Sequence, residues 1–181
     1  MKSTVSYICR FIRIVPLAAN RQKGRVLSRT MSFPCALGEG GIALKKREGD
    51  GLTPLGIFAL RRLHYRADHV RCPPSLLAKR RIKKADWWCD DPQDRSYNSL
   101  VTLRRPPPST KETLWRKDHL YDLIIEIGFN DRPTVKGKGS GIFFHLARSD
   151  FSPTKGCVAV SRETFLKLLR FIGPKTKIKI G

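Results

Sequence analysis

The chain has 181 residues, 40% of them apolar, and carries 36 Lys+Arg against 15 Asp+Glu for a net charge of +21. That length buries a core without help from metals or disulfides, and the apolar share excludes a disordered chain. No stretch approaches the roughly 18 consecutive apolar residues of a membrane-spanning helix, so none is expected.

The first twenty residues carry a basic Lys2 and a mostly apolar run from Val5 to Ala19, but Arg10 and Arg13 interrupt what a signal peptide would keep clean. At a period of two the segment reads instead as a strand, Ser6–Val15, apolar on both faces apart from those arginines. Further strands are expected at Arg25–Ser28, Met31–Leu37 and Ile42–Lys45, separated by Gly, Pro and Asn breaks. Gly51-Leu-Thr-Pro-Leu-Gly56 reads as a turn feeding a strand at Ile57–Leu63.

Residues 65–110 form the least regular part, with Pro73-Pro74, a basic run, Trp87-Trp88 and Pro106 to Pro108. The aromatic pair followed by Cys89-Asp90-Asp91 suggests an ordered flap, with Trp88 either stacked on a ligand or pinned to the core. A short helical turn is expected over Glu112–Asp118, then a strand within Leu120–Gly128. The glycine-rich Lys136 to Gly141 lacks the Gly-Lys-Ser/Thr ending of a phosphate loop, which excludes that mode of nucleotide binding. Ile142–Ala147 reads as a strand delivering His145. Ser161 is a credible N-cap for a helix Arg162–Phe171 stopped by Gly173-Pro174, and Thr176–Ile180 alternates as a final strand. The fold class that follows is mainly β, one domain, with one or two short helices.

The basic residues are scattered (Lys45-Lys46-Arg47, Lys79-Arg80-Arg81, Arg104-Arg105) and line no helix face. No zinc-finger spacing or RNA-binding aromatic signature accompanies them, so a specific nucleic-acid partner is not expected. The five cysteines (9, 35, 72, 89 and 157) include no Cys-x-x-Cys pair. Their spacing gives no metal site and leaves open whether the first four pair. A zinc set drawn from His145, Cys157, His119 and Cys89 matches no common ligand pattern. No Gly-x-Ser-x-Gly elbow supports a serine hydrolase, and adjacent Asp90 and Asp91 would point to opposite faces of a strand.

The stretch with chemical content runs from Gly139 to Ser161. Ile142-Phe143-Phe144 ends in His145, and after a polar loop comes Thr154-Lys155-Gly156-Cys157. A histidine on a buried strand and a cysteine after a tight-turn glycine can form a pair in which imidazole takes the thiol proton and thiolate attacks a carbonyl. Lys155 beside the thiol favours the anion, and the Gly156 and Cys157 amides could face a developing oxyanion. Taken alone, such residues are more often a half-buried histidine and a small apolar cysteine.

This stretch resembles the active-site motif of the L,D-transpeptidase (YkuD-type) catalytic domain family, in which a strand-borne His precedes Ser/Thr-x-Gly-Cys. Asp50-Gly51-x-Thr53-Pro54-x-Gly56-x-Phe58 resembles the family's upstream turn and strand, and Trp88-Cys89-Asp90-Asp91-Pro92, Tyr97-Asn98 and Tyr121-Asp122 resemble one bacterial branch. The sequence departs from many members at Ala159, where they have Arg, and at Leu146, where they often have Gly. The resemblance implies a β-sandwich-like catalytic domain over residues 30–181, with residues 1–29 an N-terminal strand region either belonging to that domain or separate from it. It implies a cofactor-free, monomeric peptidoglycan L,D-transpeptidase acting on stem tetrapeptides in the periplasm or cell envelope, the cytoplasm being the alternative. Cys157 is then the nucleophile, His145 the base, Gly156 and Thr154 the oxyanion and turn residues, and Trp88, Tyr121 and Lys155 substrate contacts. The alternative reading is a non-catalytic basic module binding peptidoglycan or nucleic acid.

Overall fold

Alternating burial builds most of this molecule. A computed structural model of the chain describes residues 8–44, 47–105, 109–110 and 112–181. Its strands are β1 (Phe11–Leu17), β2 (Asn20–Ser28), β3 (Met31–Ala36), β4 (Ile42–Ala43), β5 (Thr53–Pro54), β6 (Gly56–Tyr65), β7 (Ala78–Arg81), β8 (Asp86–Cys89), β9 (Ser99–Thr102), β10 (Glu112–Thr113), β11 (Leu123–Ile127), β12 (Phe143–Leu146), β13 (Val158–Val160) and β14 (Lys177–Ile180). Helix α1 spans Arg162–Leu169.

The main sheet has nine strands in the order β11-β12-β13-β3-β2-β1-β14-β6-β7, and β6 also pairs with β11. That extra pairing closes the sheet on itself as a barrel-like sandwich. It is possible because β6 is ten residues long: Gly56 to Ala59 pair with β14, and Leu60 to Tyr65 pair with β11. Closure pairs β11 with β6 and leaves β7, which pairs with β6 alone, as the edge strand of the main sheet. β1 and β2 belong to this same sheet, so the N-terminal strands are part of the fold.

In β14 the Lys-Ile-Lys-Ile alternation places Ile178 and Ile180 inside and both lysines outside. β1 behaves likewise, with Ile12 and Ile14 fully buried and Arg13 exposed. The strand begins at Phe11, later than the expected Ser6, and the Ser6 and Tyr7 end of that expectation lies outside the described residues, as do Lys45 and Pro106 to Pro108. Phe144 and Phe165, with ring centroids 5.5 Å apart, join α1 to the interior. Ser161 caps the helix as its sequence suggests, its Oγ accepting from the Thr164 amide at 3.2 Å.

Two expectations are corrected. Residues 65–110, read as the least regular part of the chain, hold β7, β8 and β9, and Glu112–Asp118 begins with β10 in place of a helical turn. In both places the backbone groups pair with strands distant in sequence: β10, β8 and β9 form a small sheet of their own, with Glu112 opposite Trp88. The anchor is Asp86, fully buried, which accepts from Arg80, Thr102 and the Lys83 amide. This small sheet covers the outer face of β11 and β12, enclosing a second apolar cluster with Ile82, Trp88, Leu114, Tyr121, Ile124 and Phe143. Among the described residues no helix is long and apolar enough to cross a membrane.

Candidate active site

β12 and β13 run parallel, with His145 opposite Ala159. Cys157 sits one residue before β13 and two before Ala159, so the period of two turns Cys157, Ala159, Phe143 and His145 to one face. That is the outer face of the main sheet, whereas Phe144, Leu146, Val158 and Val160 point into the barrel. Cys157 and His145 are therefore diagonal neighbours on adjacent strands, and both line a cleft of about 640 Å³.

The sulfur is held by the backbone of the strand beside it. The Phe143 amide donates to Sγ at 3.3 Å, and Sγ donates to the Gly141 carbonyl at 3.4 Å. An amide aimed at sulfur puts a partial positive charge where a thiolate would form. His145 is 5% exposed, and its Nδ1 stands 2.8 Å from the Leu146 carbonyl. A carbonyl only accepts, so Nδ1 carries the proton of the neutral ring and Nε2 is left to accept one. Burial lowers the His145 pKa to about 4, against the opposing pull of the Leu146 and Leu120 carbonyls. The ring is thus neutral above that pH.

Thr154 and Gly156 make the turn that presents the cysteine. Thr154 Oγ1 donates to the Cys157 carbonyl at 2.7 Å and accepts from the Gly156 amide at 3.1 Å. Gly156 has φ +129°, and a Cβ there would stand 2.8 Å from the Leu52 carbonyl oxygen. No other residue fits that backbone without strain. The Gly156 amide is spent inside the turn in this conformation, so the expected pair of oxyanion donors is not presented as a pair. The Leu52 contact also explains the Asp50 to Phe58 signature, since that turn is the surface against which Gly156 packs.

The opposite wall comes from the small sheet and its loops. Trp88 is 9% exposed and stacks edge-on to Phe143 with centroids 5.0 Å apart, which makes it chiefly a wall of the cleft. Asn98, at φ +58°, holds that wall in place. Its Oδ1 accepts from Trp88 Nε1 and the Gly141 amide, both at 3.0 Å, and its Nδ2 donates to the Phe129 and Asn130 carbonyls. Tyr121 stands edge-on to His145 with centroids 5.2 Å apart, and Arg116 lies over its other side, 4.9 Å from the ring centre. Burial, then the Cys157 and Glu112 charges, hold the Tyr121 phenol well above its ordinary pKa.

Of the residues singled out in the sequence, Cys157, His145, Thr154, Trp88, Tyr121 and Lys155 all line the cleft. Cys89 does not, and His119 lies elsewhere, so the zinc set considered above is not assembled. Sequence reasoning missed three carboxylates that also line it, Glu39, Glu48 and Glu112, and gave no role in the cleft to a fourth, Asp90. They face Arg116, Arg148 and Lys155, so a strongly basic protein has a cleft in which acids outnumber bases. Glu112 offered no local signal because it is brought in by its pairing with Trp88. Burial raises its carboxyl pKa above the ordinary range, partly offset by the Tyr121 hydroxyl and Arg116. None of the five cysteines is in a disulfide.

Outside the cleft, His69, His119 and Asp122 bring potential metal-ligand atoms within 4.8 Å of one another. Asp122 already accepts from both imidazoles and from Arg162 at 2.6 Å, and Arg66 meets the far nitrogen of His69. Two guanidinium groups in that network disfavour a cation, and the cluster reads as a clamp tying the entry of β11 to α1.

A family model described as the L,D-transpeptidase catalytic domain (YkuD) matches residues 17–180. No curated protein matches the chain.

Proposed function

The chain belongs to the L,D-transpeptidase (YkuD) catalytic domain family, and from that premise we propose that it is a cysteine acyltransferase acting on peptidoglycan stem tetrapeptides. The observation that carries the reading is Cys157 and His145 on one face of β12 and β13, opening into the same cleft.

His145 accepts the thiol proton and the Cys157 thiolate attacks the carbonyl of the L,D bond. The tetrahedral intermediate collapses as His145 returns that proton to the departing amine, releasing the terminal D-residue and leaving a thioester on Cys157. An acceptor amine then attacks the thioester, its proton passes to His145, and the thiolate leaves. Water in place of the amine gives a carboxypeptidase outcome. The Cys157 amide is our candidate for oxyanion donor, and the Phe143 amide steadies the sulfur at the start and end of the cycle. Trp88, Tyr121 and Lys155 bound the space in which the stem peptide lies. No step calls for a cofactor. Such a substrate places the protein in the periplasm or cell envelope.

The test is mass spectrometry of muropeptides after incubating the protein with tetrapeptide-rich sacculi, wild type beside Cys157→Ala. Cross-linked dimers or exchanged D-residues that vanish in the variant support transpeptidation, and tripeptides alone support hydrolysis. An unchanged profile with tight sacculus binding sinks the catalytic reading in favour of a binding module.

A further inference from the structure

We propose that Glu112 receives the acceptor as an ammonium ion and takes its proton before the amine attacks the acyl-enzyme. This assignment rests on the transpeptidase reading above. The need for such a group follows from the chemistry of the second half-reaction. An amine with a lysine-like pKa of about 10.4 is free in only about one molecule in 10³ near pH 7. Attack on a thioester requires the free lone pair. His145 is committed to the proton that the nitrogen loses as the new bond forms, so a second group must take the earlier one.

Glu112 is the carboxylate that fits. It lines the cleft with Cys157 and His145. Its Oε1 is buried with no hydrogen-bond partner, one of two such side-chain atoms among the described residues. The nearest cation is Arg116, whose Nη1 lies 3.9 Å away, beyond hydrogen-bond distance. The Tyr121 hydroxyl acts on the same carboxylate, lowering its pKa against the effect of burial, and the Tyr121 ring rests edge-on against His145. One side chain therefore separates Glu112 from the base. Asp90, Arg116 and Lys155 are the other charges that act on it, and burial shifts its carboxyl toward holding a proton. Glu39 and Glu48, across the cleft, add to a field that favours a cationic ligand inside a basic protein.

The balance is as follows. The ammonium gives one proton to the Glu112 carboxylate and becomes a free amine. The amine nitrogen forms its bond to the thioester carbonyl carbon, its second proton passes through His145 to the sulfur, and the carbon–sulfur bond breaks. The products are the amide, the Cys157 thiol and a protonated Glu112, which returns its proton to solvent.

The experiment compares wild type with Glu112→Gln, using a stem tetrapeptide as donor near pH 7 and two acceptors of matched shape. One is a D-amino acid, predominantly an ammonium at that pH, and the other is the corresponding D-aminooxy acid, whose nucleophilic nitrogen is uncharged. The expected result is a loss of about a hundredfold with the amino acid and less than about twofold with the aminooxy acid. Formation of the thioester acyl-enzyme without added acceptor, read by intact mass, verifies that the variant is folded and forms the intermediate on which the two acceptors are compared. Equal losses with both acceptors, or no loss with either, overturn the assignment. So does a wild type that releases the D-residue but transfers to neither acceptor. Absence of D-residue release in the wild type is a different failure, and it removes the transpeptidase reading together with the role of Glu112.

Discussion

The Tyr121 ring stands edge-on to His145, with centroids 5.2 Å apart and planes at 76°. This contact helps exclude water from the imidazole, and exclusion of water is the main reason its pKa falls to about 4. In the cleft, then, the histidine is a neutral ring throughout the physiological range. The acid limb of kcat/KM should accordingly lie near pH 4, well below the 6.5 of a free imidazole. A pH–rate profile with its acid limb at 6.5 would contradict the buried, neutral histidine.

The same shift carries a stability consequence with a definite sign. The unfolded histidine takes up a proton below about 6.5, whereas the folded one does so only below about 4. Above 6.5 both are neutral and the group contributes nothing. Between the two values the unfolded state binds more protons, so stability falls as pH falls, by roughly 3 kcal/mol over the full window. His145→Gln should flatten the stability curve between those pH values, as measured by urea denaturation at a series of pH values. Parallel curves for wild type and variant would refute it.

Cys157→Ala should lower D-residue release at least about a thousandfold, because no other group in the mechanism forms the acyl bond. The fold should survive, since a small side chain is replaced by another at a site that is 8% exposed. Circular dichroism and the kinetic assay on one preparation separate the two effects.

Gly156→Ala should destabilise by about 2–4 kcal/mol, from the strain of φ +129° and a Cβ set 2.8 Å from the Leu52 oxygen. Gly137→Ala is the control. It also has positive φ, at +76°, but nothing lies within 4 Å of its Cβ, so about 1 kcal/mol is expected. Equal losses in thermal denaturation would mean that the packing against Leu52 is unimportant.

Asn98→Asp keeps the side-chain shape and tolerates positive φ, but it turns two donors toward the Phe129 and Asn130 carbonyls into acceptors. The loss should be about 2–4 kcal/mol. Activity at a temperature where the variant remains folded should also drop, because Asn98 sets the positions of Trp88 and Gly141. A variant as stable as wild type would show that the amide network is incidental.

Asp122→Asn tests the clamp between β11 and α1. Burial works against the Asp122 charge, but His69, His119 and Arg162 outweigh it and hold the carboxyl below its ordinary pKa. The substitution should cost about 2–3 kcal/mol, as it weakens three charge-assisted hydrogen bonds at a buried acceptor. His119→Ala, whose side chain is 65% exposed, should cost well under 1 kcal/mol. A zinc-dependent rise in wild-type melting temperature would speak for a metal site here instead.

The sequence alone determined the mainly β class, the strand that carries His145, the helix after Ser161 and the candidate Cys–His pair. Each of these is local: a period of two, a capping serine, a glycine before a cysteine. Tertiary structure decided the rest. Closure of the sheet depends on β6 bridging β14 and β11, a pairing that no local pattern encodes. The small sheet over the cleft went unread because its strands are only two to four residues long and pair with one another across intervening loops. For the same reason Glu112 looked like the start of a helical turn until its pairing with Trp88 carried it into the cleft beside Cys157. Local residue patterns determine which face of a strand is buried, but which strands meet, and therefore which charges share a cavity, depends on long-range pairings that only the assembled fold specifies.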